Sequence, residues 1–128
     1  MNTIYVSYAQ SDADEVLPVI SALSDEGYAV SYNESGMGLN SSTEKQIDEC
    51  GSFVAFVSEE YALSSICQAE FNYAISGSKE IVSIFLSSAN EQDKTNMAHY
   101  SAATINRSDY SGEYGFIKAI MSCPQLNG

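Results

Sequence analysis

The sequence predicts an α/β protein built on an open, five-stranded parallel sheet with helices on both faces. Two observations carry this. Short apolar runs alternate with helical stretches along the chain, and two of those runs, Phe53 to Val57 and Ile81 to Leu86, are apolar without alternation. A strand that shows no polar face is covered on both sides, as in parallel sheets wrapped by crossover helices. The length of 128 residues suits one domain with a proper core, so residues 1–128 are read as a single unit without repeat, linker or low-complexity segment.

Ile4 to Ser7, β-branched and aromatic, is the first strand. Ser11 to Asp14 offer cap chemistry for a helix whose apolar face is Val16, Leu17, Val19, Ile20 and Leu23 and which stops at Gly27. If that helix starts at Asp14, Pro18 falls in its first turn or just past it, where a missing N–H costs less than it does mid-helix. Ala29 to Tyr32 is the second strand. Asn33 to Asn40 follows as a loop with two glycines and with Met37 and Leu39 at its tip, and Ser41 or Ser42 caps a second helix reaching about Cys50. Phe53 to Val57 is the third strand, after which Ser58 to Tyr61 leads into a helix read from Leu63 to Ile75. Ile81 to Leu86 is the fourth strand, and Ser87 to Tyr100 is polar and irregular with room for one short helix. Ala102 to Ile105 is a weaker fifth strand. Tyr114 to Met121 closes the chain as a helix with Phe116, Ile117 and Ile120 inward.

The helix at 63–75 carries one misplaced charge. On a wheel of about 100° per residue, Leu63, Cys67, Phe71, Ala74 and Ile75 make an apolar stripe with Ile66 and Tyr73 at its margin, and Glu70 falls among them. A carboxylate on a core-facing stripe is costly unless it is paired, hydrogen-bonded or opening into a polar pocket. The alternative is that Glu70 sits at the edge of the stripe and reaches water, as edge charges on amphipathic helices commonly do.

Composition excludes several classes. Five basic residues, scattered along the chain, face 17 acidic ones for a net charge of −12, which argues against polyanion binding and hence against nucleic acid as a partner. Cys50, Cys67 and Cys123 form no CxxC pair and there is one histidine, so neither a disulfide framework nor a zinc site is expected, and reduced thiols point to a cytoplasmic protein. No stretch has the length of a membrane span and the N-terminus has no basic leader.

Ligands of open parallel sheets bind beyond the carboxyl ends of the strands. The loops expected there lack the acidic pair, strand-ending aspartate and lysine of a phospho-acceptor domain, having Ser7-Tyr8, Val57-Ser58 and Asn106-Arg107 instead. Tyr8 to Asp12 contains no glycine, against a phosphate cradle of the Rossmann or P-loop kind. Cys67 with His99 is a conceivable nucleophile and base, but a cysteine on an apolar stripe is more often core. Asp12, Asp14 and Glu15 are more simply helix-start acids than metal ligands. Tyr8 and Tyr32 have the shape to stack on a flat ring, although packing is the commoner fate of a tyrosine.

Three segments together resemble the Toll/interleukin receptor (TIR) domain family over nearly the whole chain. Ile4-Tyr5-Val6-Ser7-Tyr8 with Asp12 is similar to its first box. Asn33 to Asn40 is similar to its glycine-bearing BB loop. Ser64-Ser65-Ile66-Cys67-Gln68-Ala69-Glu70 is similar to its Ser-x-Trp-Cys-x-x-Glu motif, with Ile66 where many members carry tryptophan. The resemblance implies a flavodoxin-like fold and, where the glutamate is present, cleavage of NAD+ at the nicotinamide–ribose bond to ADP-ribose or a cyclic isomer, NAD+ being substrate and no cofactor or metal being needed. It maps Glu70 to the catalytic residue and Tyr8, Asn33, Ser35, Gly36 and Cys67 to the substrate pocket. It also implies self-assembly with other TIR domains through Met37, Gly38 and Leu39 of the loop, and a role in immune or anti-phage signalling. The competing expectations are a non-catalytic adaptor that pairs with other TIR domains, and a nucleoside deoxyribosyltransferase-like enzyme, which shares the fold and a catalytic glutamate.

Overall fold

The computed structural model describes residues 3–33 and 38–127. Five strands, β1 (Thr3–Tyr8), β2 (Ala29–Tyr32), β3 (Ser52–Val57), β4 (Ile81–Phe85) and β5 (Ala103–Asn106), form one all-parallel sheet in the order β2-β1-β3-β4-β5. The order reverses between β1 and β3, so the crevice characteristic of such sheets opens beyond Tyr8 and Val57. The helices are α1 (Ala13–Asp25), α2 (Ser41–Glu49), α3 (Glu59–Leu63), α4 (Ser65–Ser76), α5 (Glu91–Ala98), α6 (Glu113–Met121) and α7 (Pro124–Asn127).

Two apolar cores sandwich the sheet, and β1 divides its side chains between them with the period of two that a strand dictates. Ile4, Val6 and Tyr8 join Val54, Phe56, Val82 and Ile84 under α1 and α6. Tyr5 joins Phe53, Ala55, Ile81 and Phe71 on the opposite face under α2 and α4. There Tyr5 stacks on Phe53 at 5.7 Å, and Phe53 meets the edge of Phe71 at 6.2 Å.

Several local expectations are corrected. The helix read as 63–75 is two helices: Ser64 leaves the helical path, and its Oγ accepts from the Cys67 N–H to cap α4. Leu63 therefore ends α3 and is 77% exposed instead of belonging to the apolar stripe. Asn40, not Ser41 or Ser42, caps α2, accepting from the Thr43 N–H at 3.0 Å. The chain after β1 makes a 3-10 turn at Gln10–Asp12 before α1, whose first residue has no side-chain cap. Pro18 is thus the sixth residue of α1, on its exposed side, and Leu17 is exposed as well. Ile117 is only half-buried, whereas Phe116 and Ile120 turn inward as expected.

Candidate active site

Glu70 is the sixth residue of α4, and the cap at Ser64 aims the start of that helix at the crevice. Glu70 is 2% exposed, which removes the account in which it reaches water at the edge of the stripe. Its burial is answered by a ring of donors. Ser7 Oγ donates to Oε1 at 2.8 Å, Tyr5 Oη donates to Oε2 at 2.9 Å, and Asn33 Nδ2 donates to Oε2 at 3.4 Å. Behind Ser7 stands Tyr61 of α3, its phenolic oxygen 2.8 Å from Ser7 Oγ. Among the described residues no buried polar side-chain atom lacks a partner.

These contacts follow from the strand pairing. Tyr5 and Ser7 are two apart on β1 and so share the face that α4 covers, with Phe53 and Ala55 beside them on β3. Ala55, the register partner of Ser7, is among the smallest side chains on that face. Tyr61 reaches Ser7 because Ser58 caps α3, accepting from the Tyr61 N–H at 3.0 Å. The Ser58 hydroxyl in turn donates to Asp12, tying the turn after β1 to the start of α3.

Burial raises the Glu70 pKa above its ordinary value, and the hydrogen bonds from Ser7, Tyr5 and Asn33 hold part of that rise back. Burial also pushes the Tyr5 and Tyr61 phenols up, with the nearby Glu70 charge adding to the effect. The Cys67 thiol is pushed up to about 11 by burial, so it is a neutral wall of the site and the opposite of an activated nucleophile. His99 lies exposed beyond α5 with its ring against Tyr100.

The crevice is a cleft with about 340 Å³ of atom-free space including its open mouth. It is lined by Val6 and Tyr8 of β1, Ala9 and Gln10 just after it, Asn33 just after β2, and Ser64, Ile66, Cys67 and Glu70 at the cap and first turns of α4. Tyr8, Asn33 and Cys67 are thereby brought together with Glu70. Tyr32 tilts against Tyr8 at 6.1 Å and is not among the lining residues described. Ser35, Gly36 and Met37 lie outside the described residues. Gly38 is exposed, and Leu39 packs onto the core beneath α2 and α4 of its own subunit. Among the described residues no group of three or more His, Cys, Asp or Glu side chains could hold a metal ion.

A sequence profile of the TIR domain matches residues 4–119. The chain belongs to the TIR domain family. Solved structures agree on the fold. The TIR domains in the structure of the activated Roq1 resistosome directly recognizing the pathogen effector XopQ superpose with a TM-score of 0.72 at 15% identity, covering 94% of this chain and 98% of that one. The CMP N-glycosidase BcmB of Clostridium botulinum superposes with a TM-score of 0.64 at 17% identity, covering 93% and 97%. A search of curated proteins finds no match. The five-stranded sheet is thus that of a TIR domain, and among its described residues no helix is long and apolar enough to cross a membrane.

Three site residues escaped the sequence reading: Tyr5, Ser7 and Tyr61 as partners of Glu70. Ser7 had a signal, because a hydroxyl in the middle of an apolar strand needs a hydrogen-bond partner. Tyr61 had none, lying 54 residues from Ser7 in a helix that the apolar pattern did not reveal.

Proposed function

We propose that this TIR domain cleaves NAD+ at the nicotinamide–ribose bond, releasing nicotinamide and either ADP-ribose or a cyclic ADP-ribose isomer, with Glu70 as the catalytic carboxylate. The observation that carries this reading is a buried, donor-lined carboxylate opening into a cleft at the switch point of a parallel sheet. As the C1′–N bond breaks, its electron pair leaves with the pyridinium nitrogen, so nicotinamide departs neutral and needs no proton. The ribosyl centre becomes oxocarbenium-like, and a fixed negative charge within the cleft stabilises it. Water then adds at C1′ and loses a proton, for which Glu70 is the acceptor at hand. Capture by an atom of the same molecule gives the cyclic product instead. Tyr8, Asn33 and Cys67 serve as walls of the substrate pocket, and Ser35 and Gly36 as its loop contribution. Assembly with other copies through Met37, Gly38 and Leu39, and a part in immune or anti-phage signalling, belong to the same reading.

Incubation of concentrated protein with NAD+, with products resolved by chromatography, tests it. Nicotinamide release is expected, disappearing in Glu70→Ala and Glu70→Gln while the circular dichroism spectrum is retained. A wild-type domain that stays inert even when crowded or forced to assemble leaves the adaptor reading in its place. The likeness of fold to a CMP N-glycosidase favours one further arm, CMP as substrate. Cytosine release without nicotinamide release would transfer Glu70 to that chemistry.

A further inference from the structure

The hydroxyl groups behind Glu70 form a chain with a direction. Ser7 has one hydroxyl hydrogen, and it goes to Glu70 Oε1, so the Tyr61 phenol must donate to Ser7 Oγ. Tyr61 and Tyr5 are fully buried, and among the described residues neither phenolic oxygen has a hydrogen-bond partner beyond Ser7 and Glu70 respectively. Suppose Glu70 turned a proton toward Ser7. Ser7 would then have to donate backward to Tyr61, and the Tyr61 hydrogen would point at nothing. A proton turned toward Tyr5 strands the Tyr5 hydrogen in the same way. An unmet buried donor is costly, so both orientations are disfavoured.

Resting on the assignment of Glu70 as the catalytic carboxylate, we propose that Tyr5, Ser7 and, through Ser7, Tyr61 are positioning residues that occupy the sheet side of Glu70, so that it exchanges protons and meets substrate hydroxyls only from the cleft. The consequence is a carboxylate fixed in rotation and usable from one side. Asn33 makes the longest of the three bonds to Glu70 among the described residues and is the partner best placed to yield to a ribose hydroxyl.

The test is the titration of the Glu70 side-chain carboxyl by carbon-13 NMR, with the resonance assigned by its loss in Glu70→Gln. Among the described residues the titratable groups around it are Tyr5 on β1 with Cys50 behind it, Tyr61 on α3 and Cys67 on α4, with Asp12 acting on Cys67, and Tyr8 on the lining of the same cleft. Burial raises the Tyr5 and Tyr61 phenols and both thiols, which keeps all four neutral across the range in which Glu70 titrates. Tyr5→Phe is expected to raise the Glu70 midpoint by about one unit, the worth of one hydrogen bond to a charged group. Tyr61→Phe should raise it by a smaller amount, about 0.3 unit, because it acts by polarising Ser7. In a Ser7→Ala background Tyr61→Phe should add nothing.

Midpoints that stay put in Tyr5→Phe, or a Tyr61→Phe shift that survives in Ser7→Ala, would overturn the proposal. If Ser7→Ala does not fold, the two phenylalanine variants still decide through the order of their shifts. The acid limb of kcat/KM for nicotinamide release should move in step with the NMR midpoints. Shifted midpoints in a protein that releases no nicotinamide would keep the chain of donors and reject NAD+ cleavage. Release with unmoved midpoints would do the reverse.

Discussion

The two faces of β1 are made by one six-residue strand and do different work. On one side Ile4 and Val6 are closed under α1 and α6 by apolar neighbours. On the other, Tyr5 and Ser7 carry hydroxyls into an equally buried layer, where they meet the one carboxylate that α4 brings in. Burial alone therefore does not distinguish a structural face from a functional one. The difference lies in a polar cluster that is satisfied yet opens on one side to a cleft.

The largest expected effect falls on the polar face. Glu70→Ala should lower nicotinamide release by at least about a hundredfold, as removal of a charge-stabilising group in an active site does, read from initial rates at matched high protein concentration. Retained activity would erase the distinction between the faces.

On the apolar face the effect should be on stability alone. Ile120→Ala, at a fully buried position under the sheet, should cost about 2–5 kcal/mol in urea unfolding and leave the acid limb of activity where it was. A moved limb would mean that the two cores are coupled.

The dependence of stability on pH sharpens the contrast. Because the folded pKa of Glu70 lies above its unfolded value, the folded state binds its proton more tightly. That contribution is complete below the ordinary carboxyl range and is lost as pH rises through the raised value. Wild-type stability should therefore fall relative to Glu70→Gln over that interval, measured as denaturation midpoints at a series of pH values. A parallel pair of curves would deny the raised pKa.

The smallest effect is expected at the entrance to α4. Ser64→Ala removes the cap and should cost about 1 kcal/mol by the same unfolding measurement.

Much of the fold was legible because hydrophobic pattern and strand burial are local. Phe53 to Val57 and Ile81 to Leu86 read as doubly covered strands, and β3 and β4 are the buried centre of the sheet. The break at Ser64 was not legible from a helical wheel, since two serines sit comfortably in either a helix or a cap. Leu63 was drawn into the stripe by spacing alone, although the chain leaves the helical path between it and Cys67. At the site, Glu70 announced itself as a charge in an apolar stripe. Its partners did not, because Tyr5 and Ser7 lie 65 and 63 residues away in sequence and are joined to it only by the pairing of β1 with β3 and the crossing of α4 above them.

The central claim is that the ionised Glu70 carboxylate, and not merely the shape of its side chain, performs the chemistry. Glu70→Gln keeps the volume and one carbonyl acceptor while removing the charge. Nicotinamide release from NAD+ by the folded Glu70→Gln protein at high concentration is predicted to be indistinguishable from a protein-free control. Release at a rate close to that of the wild type would contradict the account.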